Sequence, residues 1–410
     1  MTSPPPGGWR NALAVVGPFV LVAGSAWPGR FVDVFTVTLT GDRVLGLIAL
    51  AVLVVVGLRG GWRWTAVHAA LAVFVAAQVV TTALSAGTWR PGPKFVAIYV
   101  LGFACFALAA ECTRRPDGQR RMVRAWLLVG AAVAASGTVA ANLSNVLQHR
   151  VWGAGVAQIL RPGPDDRLLL FGPTVTFPEW NLFSSFLLVP FTLSLWLWRR
   201  DGSPREHVTA LAALAFGLVS SVTRAAWLAM PVLVALWIWA KRPGRRQLAT
   251  LGAIIAAALL VQALSLGVSP MVPRLGQTST VTTRFVINRA TIDSWLKRPL
   301  LGHGAGSVNR LEVPRTAGRP MEVWTGNIVL FVLHDSGALG LAALLALAGV
   351  VWHRAWRARR HAELVVPLLA CGAALALAYQ FTHALWLMYP YVYLGLLTAV
   401  TERPPSSHAG

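Results

Sequence analysis

Stretches of about twenty apolar residues recur along nearly all of this 410-residue chain, and nothing else in it constrains the fold as tightly. Twenty residues of helix rise about 30 Å, the thickness of a hydrocarbon core. Inside lipid no water is present to bond the backbone, so a crossing segment must pair its own N–H and C=O groups, which a helix does. An apolar share of 56% against 12% charged residues, with a mean hydropathy of +0.60, rules out a soluble globule of this length. The expectation is an all-α, polytopic transmembrane bundle of about twelve spans in a single membrane domain, 1–410. The spans fall near 11–29, 43–58, 65–85, 95–110, 125–145, 180–198, 208–222, 226–240, 247–268, 326–350, 364–380 and 385–400. The first is one of many and no small-residue cleavage site follows it, so no removable signal peptide is read.

Basic residues set the orientation. The formal charge is +21, and Lys94, Lys241 and Lys297 are the only lysines among 36 basic residues. Arginine in place of lysine, with abundant Ala, Gly, Val and Pro, suggests a GC-rich bacterial genome. The segments "RGGWRW", "TRRPDGQRRMVR", "RRDGSPR", "KRPGRR" and "HRAWRARR", with Arg10 and Arg403, carry 20 of those 36 residues. Eight more lie in one long loop. The positive-inside rule makes the basic set cytoplasmic, with both termini inside a bacterial cytoplasmic membrane. Two long segments then face outward: 146–179, and 269–325 between spans nine and ten. In the second, Phe285, Ile292, Trp295 and Leu296 form the apolar stripe of a surface helix from about Thr283 to Leu296.

Arg224 is the only charge in a 33-residue apolar run from Val208 to Ala240. One helix of that length would measure about 50 Å, too long for a single crossing. Two short helices meeting near Thr223 and Arg224 fit better and put the arginine at the outer tip of a hairpin. There it either reaches for water as an ordinary surface residue or meets an anion.

Metal and nucleotide signatures are missing: no phosphate-binding glycine loop, no paired-histidine zinc helix, no dinucleotide fingerprint. Cys105, Cys112 and Cys371 have no ligand spacing. No cofactor, metal ion or nucleic acid is expected. What remains toward the outside is a set of polar side chains, each with a plain structural alternative. Glu179 and Asn181 open span six in "TFPEWN", where an acid also caps a helix. Arg284 and Arg289 lie in "RFVINRATIDSWLKRPLLGHGAG", five residues and thus about 140° apart on a helix. His303 stands in its turn-rich end, and His383 precedes span twelve. His334 and Asp335 lie deep in span ten, where an ionisable pair faces a protein interior and is either functional or a structural pair.

Taken together, four segments resemble the bacterial O-antigen ligase and O-antigen polymerase family. "PEWNLFSSFLLVP" is similar to its Pro-x-Asn start of a span ending in proline, and "VTRAAWLAM" to its Ser/Thr-Arg-Gly/Ala-aromatic-Leu hairpin. The Arg284 helix resembles its loop helix closing in Pro-Leu-x-Gly-x-Gly-x-Gly, and "GNIVLFVLHDSGALGL" its His-Asn segment ending Gly-x-x-Gly-Leu. The resemblance covers about Pro178 to Gly340. It implies a metal-independent glycosyltransferase that moves a glycan from a polyprenyl-diphosphate carrier to a glycan, lipid or other surface acceptor. It makes Arg224 and Arg284 the diphosphate-engaging arginines, with Arg289 a third candidate. One position departs: Gly326 stands before Asn327 where the family often has histidine, which removes the usual base. Glu179 and His334 are the catalytic candidates, with Asn181, His303, Asn327 and His383 as acceptor or loop candidates. The alternative class is a transporter or lipid-linked glycan flippase, for which inverted repeats and broken helices would speak.

Overall fold

The computed structural model describes residues 8–28, 30–34, 37–58, 63–85, 92–147, 149, 157–162, 169–198, 204–266, 279–314, 320–322 and 325–402. Thirteen α-helices occur among them: α1 (Gly8–Ser25), α2 (Gly41–Leu58), α3 (Ala66–Leu84), α4 (Gly92–Cys112), α5 (Pro116–Leu147), α6 (Trp180–Leu197), α7 (Pro204–Ser220), α8 (Arg224–Lys241), α9 (Arg245–Leu266), α10 (Ser279–Trp295), α11 (Ile328–Ala358), α12 (Val365–Ala378) and α13 (Tyr389–Thr401). Each span expected from the sequence overlaps one helix, and α10 is the loop helix. Among the described residues seven helices are long and apolar enough to cross a membrane, namely α3, α4, α5, α6, α8, α9 and α11. Shorter apolar stretches come from α1, α7 and α12. The protein is a helical membrane protein.

Two helices run past the apolar stretches that mark their spans, and short strands occur among the described residues. Helices α5 and α11 run to 32 and 31 residues, well past the expected 125–145 and 326–350. Their extra turns carry arginines, which extend a helix beyond the apolar layer without ending it. The chain is also not purely α. Three antiparallel hairpins pair backbone outside the helices: β1 (Arg30–Val34) with β2 (Val37–Thr40), β3 (Ala157–Pro162) with β4 (Leu169–Pro173), and β5 (Glu312–Pro314) with β6 (Pro320–Glu322).

Helix α6 forms the core: every residue from Leu182 to Leu197 is buried, as a helix apolar on all sides requires. Cross-bonds gather one end of α3, α5, α6, α9, α12 and α13 into a common layer. The Asn145 side chain near the end of α5 bonds both the N–H and the C=O of Phe171 in β4, at 2.7 and 3.1 Å. Ser265 of α9 donates to Asn142 of α5 at 2.7 Å. Ser185 of α6 meets the Tyr389 hydroxyl at 2.7 Å, and Tyr379 donates to Tyr389 at 3.0 Å. The same layer receives the long loop, whose Ala305 N–H donates to Thr82 near the end of α3.

Helix α11 is broken inside this layer. Gly337 has φ +64° and ψ −164°, a conformation open essentially to glycine alone. The turn 299–306 fills the break: Ala338 and Leu339 donate backbone N–H groups to the carbonyls of Pro299 and Leu300, at 2.8 and 3.2 Å.

Candidate active site

Two tight turns carry the candidate side chains Arg224 and Glu179. Between α7 and α8 the chain reverses over Ser221–Thr223, where Val222 takes φ +49° and the Thr223 hydroxyl donates to the Ser221 carbonyl. Arg224 is therefore the first residue of α8, half-buried at the hairpin tip. Ahead of α6, Val175 takes φ +53° and Thr176 donates to the Ala26 carbonyl. A β-branched residue in the left-handed region is strained and persists only where surrounding structure holds it. Both such valines among the described residues lie in the turns that present Arg224 and Glu179. Phe177 locks the second turn by packing on Phe183, Phe186 and Tyr389.

Glu179 occupies the N-cap of α6 but makes no capping bond with its side chain. A side-chain capping bond is thus not what places an acid here, although the dipole of α6 favours one. Its carboxylate is bonded by Asn181 and feels the Arg284 guanidinium. Burial nevertheless raises its pKa above the ordinary carboxyl value, against the pull of both neighbours.

Arg284 descends from α10 onto this point. Its guanidinium lies 5.6 Å from the centre of the Phe381 ring, within cation–π range. Burial depresses its pKa most, the neighbouring Arg224 depresses it further, and Glu179 acts in the opposite sense. Arg284 is thus coupled both to Arg224, sixty positions away, and to the Glu179 carboxyl in this layer of helix ends. The site carries more positive than negative charge, and the N-terminal ends of α6 and α8 add to it. Such a place suits an anion with several oxygens, because a guanidinium fork bonds phosphate oxygens in pairs.

The other sequence candidates separate from this cluster. Arg289 points outward, its side chain 84% exposed, with Asp293 at 3.9 Å. Asn327 caps α11, accepting from the N–H groups of Val329 and Leu330 at 3.0 Å, while its amide donates to Gln380. His383 is buried against the Phe331 ring, centroids 3.8 Å apart. Gly326 abuts the peptide after Phe381 so closely that a Cβ there would collide with the Phe381 carbonyl oxygen. A histidine cannot occupy that position with this backbone.

His303 and His334 stack on each other with centroids 4.8 Å apart, in a second polar cluster. Both ring nitrogens of His334 have hydroxyl partners, Ser294 at 3.1 Å and Ser307 at 3.2 Å. The Asp335 carboxylate accepts from the N–H groups of Gly306 and Val308 and from the Ser307 hydroxyl. His303 donates through Nε2 to the Ser294 carbonyl at 2.9 Å. This clamp sits at the C-terminal end of α10, and Arg284 is ten residues back, about 15 Å along the helix axis. Sequence reasoning missed Phe381, Ser294 and Ser307, although Ser294 lies within the quoted Arg284 segment and Ser307 directly follows it. Only their place in the fold marks them.

A bundle of membrane helices with two arginines and a carboxyl drawn together at one end defines the class. Residues 209–345, a third of the chain, match the family model described as O-antigen ligase. The resemblance to the O-antigen ligase family read from the sequence is therefore borne out over the segment holding Arg224, Arg284, Gly326 and His334. No curated protein matches the chain.

Proposed function

We propose that this protein transfers a glycan from a polyprenyl-diphosphate carrier to an acceptor hydroxyl at the outer face of the bacterial cytoplasmic membrane. The observation that carries the reading is the convergence of Arg224, Arg284 and Glu179 in one electrostatic environment. The acceptor oxygen attacks the anomeric carbon. The bond from that carbon to the diphosphate oxygen breaks, and its electron pair leaves with the polyprenyl diphosphate. The acceptor proton passes to Glu179, whose raised pKa makes its carboxylate a stronger base than an exposed one. Arg224 and Arg284 take up the charge that develops on the leaving group, so no metal ion is required.

Twelve spans with both termini cytoplasmic put this layer outside, as the basic connections demand. His334 and Asp335 hold the long loop against α11 rather than touching the reacting atoms. The broken α11 is the one observation that favours a transporter. Its exposed backbone groups are bonded by the chain's own 299–306 turn, however, so the break presents no vacant site to cargo.

The test is release of polyprenyl diphosphate by purified protein supplied with a synthetic lipid-linked donor and acceptor, in the presence of a chelator. Chelator-resistant release that collapses in Arg224→Ala and Arg284→Ala supports the reading. Undiminished release in either variant would overturn it.

A further inference from the structure

The opposite end of the bundle holds a cavity of about 2150 Å³ that the transfer reaction does not use. Drug-sized and cofactor pockets span roughly 300–1,000 Å³, so this space exceeds them about twofold. Its walls are graded from charged to apolar. On α5, Arg120 and Arg124 are followed by Leu127, Leu128 and Ala131, a spacing that keeps all five on one helix face. On α11, running the other way, Gly349 and Val350 lead into His353, Arg354 and Arg357. Arginines thus crowd the basic end of both walls, and apolar side chains continue from them toward the membrane interior.

Six arginines line the cavity, the four named with Arg63 and Arg114, against three glutamates, Glu206, Glu363 and Glu402. Arg114 is bonded to Glu111 at 2.9 Å and to the Arg63 carbonyl at 3.1 Å. The Arg354 Nε is buried and has no hydrogen-bond partner among the described residues. Leaving a buried charged donor unmatched costs more than matching it returns, which points to a missing acceptor. Leu128, 53% exposed, and the exposed Arg120 and Arg124 make α5 the open side of the cavity.

We infer that this cavity binds an anionic phospholipid of the cytoplasmic leaflet, its phosphate among Arg120, Arg124, Arg354 and Arg357 and its acyl chains along Leu127, Leu128, Ala131 and Val350. Basic pockets between membrane helices on the cytoplasmic side recognise such head groups. A free phosphate has no use for the apolar walls, and an uncharged lipid none for the arginines. The site is distinct from the diphosphate site, which lies in the layer at the other helix ends.

The test uses the whole protein purified in detergent, re-lipidated with phosphatidylglycerol, phosphatidylcholine or neither, and read by native mass spectrometry and thermal unfolding. Wild type retains phosphatidylglycerol selectively and unfolds at a higher temperature with it. Arg120→Gln/Arg124→Gln, at exposed positions that leave the fold intact, retains at least tenfold less. Arg354→Gln, at the buried donor, loses retention likewise. Equal retention of both lipids, or equal retention by wild type and the Arg120→Gln/Arg124→Gln variant, would overturn the assignment. So would inorganic phosphate stabilising the protein as well as the lipid does, since that makes the ligand a soluble anion. Loss of turnover in Arg224→Ala is irrelevant to this readout, so the two sites fail independently.

Discussion

The two ends of α10 hold polar clusters that look alike in composition and differ in bookkeeping. At the C-terminal end His303, His334, Asp335, Ser294 and Ser307 bond one another and the backbone of the 299–308 turn. At the N-terminal end the Arg284 guanidinium feels a second guanidinium, Arg224, and the buried Glu179 carboxyl, which act on it in opposite senses. A satisfied buried network rigidifies its surroundings, whereas two guanidinium groups held close favour the binding of an anion. Depth in a hydrophobic span is therefore not what separates the two clusters. The state of their charges is.

The sharpest way to break this comparison is to remove the cations. Arg224→Ala and Arg284→Ala should each cost about 2–4 kcal/mol of transition-state stabilisation, roughly a 30- to 1,000-fold loss of polyprenyl diphosphate release. Lysine should restore only part of it, because a point charge lacks the fork. The double variant should lose less than the product of the single losses, since both act on one group. Near-normal turnover in either single variant would reduce Arg224 to a surface arginine.

The clamp should respond in the opposite currency. Asp335→Ala strands the donors of Gly306, Ser307 and Val308 and should lower stability by about 1.5–3 kcal/mol in thermal unfolding. Turnover per folded molecule should stay close to wild type, as it should for His303→Ala and His383→Ala. Abolished turnover in a fully stable His334→Ala variant would instead make the clamp catalytic.

A smaller effect tests the missing histidine. Gly326→His forces a side chain against the Phe381 carbonyl and should destabilise by about 1–3 kcal/mol with no gain in rate. A faster enzyme would show that the backbone there relaxes to admit a base.

The smallest expected changes are shifts of the pH profile, which test the proposed role of Glu179. Its pKa lies above the ordinary 4.5, so release should fall on acidification at a higher pH than an exposed carboxylate would give. Arg284 holds that pKa down, so Arg284→Gln should move the acid limb upward in the residual activity. Glu179→Gln should remove the limb along with most of the rate. A folded-state pKa raised above the unfolded one favours the native state at low pH, and this advantage is lost as pH rises through the folded value. Glu179→Gln should accordingly unfold at a slightly higher temperature than wild type at neutral pH. No change in the pH profile of Arg284→Gln would separate the two groups.

Much of this was legible in one dimension. Apolar length and the basic connections gave the helices and their alternation, and the 33-residue run around Arg224 announced its hairpin because no single crossing is that long. The loop helix was expected over 283–296 and occupies Ser279–Trp295. Glu179 could be suspected from its place in the sequence, but its failure to cap α6 could not. Arg289 stood as a third candidate beside Arg284, since helical phase alone does not say which side meets the protein.

The sequence by itself determined that the chain is a helical membrane protein with its basic side defined, because lipid penalises every unpaired backbone group and every exposed charge locally, residue by residue. Only the tertiary structure decided that Arg284 and not Arg289 turns toward Arg224, that His334 is bonded on both nitrogens, and that no side chain fits at Gly326. These depend on which helix end lies beside which, and on van der Waals and electrostatic contacts between residues far apart in the chain. Such contacts fall off within a few ångströms of space, and distance along the sequence does not predict distance in space.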